Sequence, residues 1–107
     1  MVKFHLSKDE EHDVFGLYLF YCPGCEYHHH VHTLTPNAQG QKFGFNGDVD
    51  KPTISSSLLV NKDYPEIRCR SLIKDGNIQF LSDCHHHLSG LTVEIPEWED
   101  FESEDEL

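Results

Sequence analysis

Short apolar runs broken by turn-forming residues set the pattern of this chain, and no segment keeps an apolar stripe of helical period beyond about two turns. Strands are the expected element throughout. Val14-Phe15-Gly16-Leu17-Tyr18-Leu19-Phe20-Tyr21 is aromatic and apolar and predicts a core strand running into Cys22. Lys42 to Asn46 and Thr53 to Val60 predict two more, separated by the Gly47-Asp48 and Lys51-Pro52 turn residues. Residues 67–74 and 77–84 flank Asp75-Gly76, a strong hairpin signal because a type I′ turn needs φ > 0 at both central residues. Such a turn pairs Lys74 with Asn77, Ile73 with Ile78, Ser71 with Phe80 and Cys69 with Ser82. A bulge at Gly76 would slip that register by one. Leu91-Thr92-Val93-Glu94-Ile95, closed by Pro96, predicts the last strand. The fold class that follows is a small antiparallel β-sandwich or curled sheet.

The polar positions add candidate chemistry. Four cysteines and seven of nine histidines fall in two stretches, 22–32 and 69–87. Cys22-Pro23-Gly24-Cys25 has the knuckle spacing that aims two thiolates at one metal, and zinc takes four such ligands in a tetrahedron. In the type I′ register Cys84 lies diagonally from Cys69 on one face, where two thiolates can converge. Cys22, Cys25, Cys69 and Cys84 are therefore the expected zinc ligands, with His29, His86 and His87 as alternatives. Disulfides would need an oxidising compartment, whereas Met1 to Glu11 has no apolar signal core, which makes a reduced cytoplasm the expected setting. A thioredoxin-like redox pair wants CxxC opening a helix, and Glu26 to His32 is poor helix material with strand-like alternation. Four unrelated thiols would leave the CPGC turn and its flanking histidines without a reason.

At 107 residues the chain fits one domain, and a metal staple would help a core of that size. No apolar run approaches the roughly 20 residues that span a membrane. Charge then divides the chain. Residues 1–74 carry eight basic and nine acidic side chains, whereas residues 75–107 carry ten acidic and none basic. Direct binding of nucleic acid is disfavoured, because its phosphates would be repelled. The expected layout is one zinc-stapled β domain over 1–96 and an acidic tail over 97–107. That tail is either a solvated end or a docking segment, in which Trp98, Glu99, Asp100, Phe101 and Glu102 engage a host protein with a basic surface.

The ordered combination of Cys22-Pro23-Gly24-Cys25, Phe45-Asn46-Gly47-Asp48, Lys51-Pro52-Thr53, Ser57-Leu58-Leu59-Val60, Arg68-Cys69 and Asp75 to Cys84, followed by His86, Leu88, Gly90 and Thr92-Val93, resembles a family of small phage and prophage proteins. Some of these carry the label ammonia monooxygenase. The resemblance covers about residues 14–96. It implies a phage or prophage origin and a metal site at the cysteines, and no established activity. His29 and His86 match the family spacing. The chain departs from the pattern at Arg70, where histidine is common, at Gly44-Phe45, where a tryptophan is common, and at Ser56, where proline is common. Losing a histidine at position 70 weakens any catalytic role that would need one there and leaves the thiolate site untouched.

Two function classes follow. One is a protein-binding module, possible inhibitor of a host nucleic-acid-binding or defence protein, in which zinc holds the sheet and the acidic surface docks. The other is a zinc-dependent hydrolase or deaminase-like enzyme, in which three ligands leave a position for water and Asp83, His86 or His29 moves protons. Four thiolates close the tetrahedron and favour the first. HExxH and the nucleotide-deaminase arrangement are both absent from the sequence.

Overall fold

A computed structural model of the chain describes residues 2–6, 16–34, 36–37 and 40–98. These residues form two antiparallel sheets and no helix. The first sheet has the order β1-β2-β3, from His5–Leu6, Leu17–Cys22 and Tyr27–His32. The second has the order β4-β5-β6-β7, from Leu58–Val60, Cys69–Lys74, Asn77–Phe80 and Thr92–Glu94.

Alternation decides which side of each strand is buried. Phe20 and Cys22 of β2, His29 and Val31 of β3, Cys69, Ser71 and Ile73 of β5, and Ile78 and Phe80 of β6 all point inward and are buried. Phe4 joins them, its ring 5.5 Å from both Phe20 and Phe45. Cys22 ends its strand and Cys69 begins its own, so the inward alternation delivers two thiols to the floor of the core.

The hairpin forms as expected. Asp75 and Gly76 have φ of 51° and 82°, and Ser71, Ile73 and Lys74 pair with Phe80, Ile78 and Asn77. The fourth pair, Cys69 with Ser82, does not form. β6 ends at Phe80, and the chain turns over residues 81–84, with Cys84 N donating to Leu81 O at 3.2 Å. The segments expected as strands at 42–46 and 53–57 are thinner than the pattern implied. They meet at one bridge, Phe45 with Ile54, and only Leu58–Val60 continues as a strand. Too many Asn, Gly, Asp and Pro residues stand between them for a longer ladder. Val14 and Phe15 lie outside the described residues.

The chain beyond the last strand is held on the domain as far as Trp98. Lys3 is buried and forms ion pairs with Glu94 and Glu97, each at 3.0 Å. Burial alone would push its ammonium down, yet the two carboxylates together hold it above the ordinary lysine range. Trp98 N donates to Val2 O, and Trp98 is 7% exposed, its indole stacked 4.7 Å from the His5 ring and 4.7 Å from the tilted ring of His28.

Candidate metal centre

The knuckle is built by local chemistry. Cys22 closes β2, Glu26 N donates back to Cys22 O at 2.8 Å, and Glu26 takes a left-handed φ of 63° so that β3 can start at once. Within the turn, Cys25 N donates to Cys22 Sγ at 3.3 Å, an interaction that favours a thiolate. Gly24 is fixed by packing, since a Cβ there would lie 2.2 Å from the His86 ring.

Four ligand atoms converge here. Cys22, Cys25 and Cys69 each bring a sulfur and His29 a ring nitrogen, all within 4.8 Å of one another. His29 is 2% exposed, and its Nε2 is buried with no hydrogen-bond partner. A buried imidazole with an unpartnered nitrogen, set beside three thiols, suits a cation well and solvent-free protein poorly. Cys84 belongs to an adjoining group with Cys69 and His86. Its sulfur lies 3.9 Å from Cys69 Sγ, accepts from Arg70 N at 3.2 Å and reaches Arg70 O at 3.0 Å. An ion about 2.3 Å from each sulfur spaces its tetrahedral sulfurs about 3.8 Å apart, so the Cys69–Cys84 pair also has the length of a ligand edge. Cys69 is common to both of these groups, and a third joins Cys25 to His85 and His86.

The thiols repel one another's ionisation. Hydrogen bonds from Cys25 and Cys69 pull Cys22 far below the ordinary thiol range. The same contact with Cys22 pushes Cys25 up to about 12, and contacts with Cys22 and Cys25 raise Cys69 as well. Three neighbouring sulfurs cannot all carry charge unless a cation sits between them. The donor set therefore fits a soft or borderline metal ion.

The histidines separate into distinct roles. Leu88 N donates to His86 Nδ1 at 3.2 Å, which leaves Nε2 as the protonated nitrogen, 3.5 Å from Cys69 Sγ. In this tautomer His86 donates toward the Cys69 sulfur and supports its thiolate form. His85 Nε2 lies 3.4 Å from Cys25 Sγ in the same manner. His87 joins no such group among the described residues.

Of the residues considered for proton transfer, His29 and His86 both lie against Cys69, and Asp83 pairs with Arg70 at 3.6 Å. Of the residues considered for partner docking, Trp98 is buried within the domain, and Glu99, Asp100, Phe101 and Glu102 lie outside the described residues. Lys3 and His5 carry little sequence signal, because β1 has only two residues.

Fold and site together define a small all-β protein with a cysteine-histidine cluster able to hold a metal ion. The chain belongs to the BubE family, described as the bacterial ubiquitination-like system serine protease, whose model matches residues 2–81. Neither a curated protein nor a solved structure matches the chain. Among the described residues no helix is long and apolar enough to cross a membrane.

Proposed function

We propose that this chain is a zinc-stapled accessory protein of a ubiquitin-like system that binds a protein partner rather than cutting it. The observation that carries this reading is the Arg70–Asp83 ion pair, 3.6 Å long, on the outer face of the second sheet. Serine proteases pass a proton from a serine hydroxyl to an imidazole steadied by a carboxylate. Arg70 lies opposite Leu59 across β4 and β5, and Ser57 immediately precedes β4, two residues before Leu59 in the chain. Position 70 thus contacts a carboxylate and pairs across the ladder with a residue two places from a serine, and histidine is common at this place in the phage proteins the chain resembles. A guanidinium cannot act as the base, because it does not release its proton at any working pH.

The family's description supports a ubiquitin-like protein, or a conjugate of one, as the partner class. The acidic last third favours a basic face on that partner, with association that weakens as salt is added. A phage or prophage origin, which the resemblance implies, is compatible with interference in a host system of this type. Zinc supports the fold in this reading and takes no part in bond cleavage.

A hydrolytic reading stands second, favoured by the family's description and by the Asp83 carboxylate in contact with position 70. A single assay separates the two. Ubiquitin-like proteins carrying a C-terminal extension are incubated with the wild type, Arg70→His and Ser57→Ala, and both binding and cleavage are followed. Binding without cleavage by the wild type, with cleavage gained in Arg70→His, supports the proposal. Cleavage by the wild type that Ser57→Ala abolishes overturns it in favour of the protease.

A further inference from the structure

Among the described residues the two sheets end in edge strands, β3 and β4, that face each other across a cleft of about 520 Å³. One wall carries Tyr27, His28, His30 and His32, the other Leu59 and Asn61. One end of the cleft is closed by Asn61 Nδ2 donating to Tyr27 OH at 2.8 Å. At the other end the gap between the sheets is filled by the chain's own backbone. Phe43 N donates to His32 O at 2.8 Å on the β3 side, while Ser55 N donates to Gly44 O at 2.9 Å and Asn46 N to Thr53 O at 3.1 Å on the other. The segment 43–46 is therefore an extended stretch lying between the sheets and bridged antiparallel to 53–55 at Phe45 and Ile54. Preceding residues leave this track, because Asn37 and Gln41 close a turn through Gln41 N to Asn37 Oδ1 at 2.8 Å. The track itself continues between Tyr27–His32 and Leu58–Val60.

We infer that this cleft is a strand-addition site for an extended segment of a partner polypeptide, which would continue the path of residues 43–46 and join the two sheets. Edge strands recognise a peptide by main-chain hydrogen bonds, with alternate side chains directed to the two faces. At about 3.3 Å per residue the open stretch takes four or five residues. The chain's own backbone fills the same track in the same way, and this identifies the occupant as main chain rather than a small molecule. The inference deepens the proposed function only in naming the partner's exposed chain terminus as that segment.

The test uses the full-length protein with metal present and a labelled octapeptide rich in Val and Thr with a free C-terminus. A second peptide is identical except for N-methylation at alternate amides, which removes main-chain donors and leaves every side chain in place. Amide NMR shifts confined to residues 28–31 and 58–61, with affinity at least tenfold weaker for the methylated peptide, are expected. His30→Trp, which fills the cleft, should abolish those shifts while the rest of the spectrum is retained. Equal affinity for the two peptides, or no binding at millimolar peptide, overturns the inference. Slow amide exchange at His30 and Leu59 in the peptide-free protein also overturns it. A second copy would then be the occupant if the protection grows with concentration, and the chain's own terminus if it does not. Because the probe contains no ubiquitin-like domain, peptide capture and the ubiquitin-like partner can fail separately.

Discussion

Replacing Trp98 by alanine is the sharpest check on where the folded domain ends. Trp98 is 7% exposed and its indole lies against two imidazoles, with the His5 ring 4.7 Å away at an interplanar angle of 3°. A buried aromatic removes about 150–250 Å² from water, which at about 25 cal/mol per Å² is roughly 4–6 kcal/mol. That range is an upper bound, because the unfolded chain already hides part of the ring and alanine keeps part of the contact. Core Trp→Ala changes cost about 3–5 kcal/mol, and since one side of this ring meets polar imidazoles the lower end, about 3 kcal/mol, is expected. For a domain of this size about 1 kcal/mol moves Tm by about 4–8 °C, so Trp98→Ala should melt some 12–24 °C below the wild type. Thermal unfolding followed by circular dichroism in metal-saturated buffer gives the value. A melting temperature unchanged within about 2 °C would refute the packing and return Trp98 to the solvated tail.

Further outcomes concern the cluster and the N-terminal segment. Cys69→Ser should lose metal more completely than Cys84→Ser, because Cys69 serves two ligand groups and Cys84 one, and elemental analysis of purified protein reads this directly. Prolonged chelation should abolish the cooperative unfolding transition of the wild type, whereas a chelated protein that still melts cooperatively would show that the core stands without metal. Gly24→Ala should weaken metal retention, since its methyl collides with the His86 ring and forces the Cys22–Cys25 turn out of place, and the double variant with His86→Ala, which removes the collision, should recover part of the loss. Lys3 has a folded-state pKa above its unfolded one, so its ion pairs contribute fully below the ordinary lysine value of about 10.4 and are lost as pH rises through the folded value. Denaturant titrations should therefore show flat stability through neutrality and a decline above about pH 10, and Lys3→Met should remove that decline.

What the sequence made legible was what local chemistry decides. Asp75-Gly76 fixes its own turn because both residues tolerate φ > 0, and three of the four hairpin pairs then follow. Cys22-Pro23-Gly24-Cys25 is equally self-contained. The place of Cys84 was not legible in the same way, because it depends on where the chain leaves the ladder after Phe80. Leu81 N still bonds Arg70 O at 2.9 Å, and then the turn carries Cys84 around rather than along the strand. His29 gains its position from the β2–β3 register, which sets it opposite Phe20 on the buried face, and a run of three histidines does not reveal which one faces inward. Trp98 was read with its acidic neighbours. The short strand it covers, His5–Leu6, is too brief to leave a periodic signal.

Cys69 lies far from Cys22 in sequence, and the cluster joins the end of β2 to the start of β5, one residue group from each sheet. The β2–β3 and β5–β6 hairpins are local and close on a microsecond scale, while contact between the sheets must wait for a long loop to shut. An ion that binds the CPGC knuckle first would hold a half-filled shell until Cys69 arrives, turning a slow encounter between hairpins into a capture step. Folding of this chain should then quicken with free metal concentration up to saturation of the knuckle. In a metal-poor cell the rate of maturation, more than the final stability, would decide how much active protein accumulates.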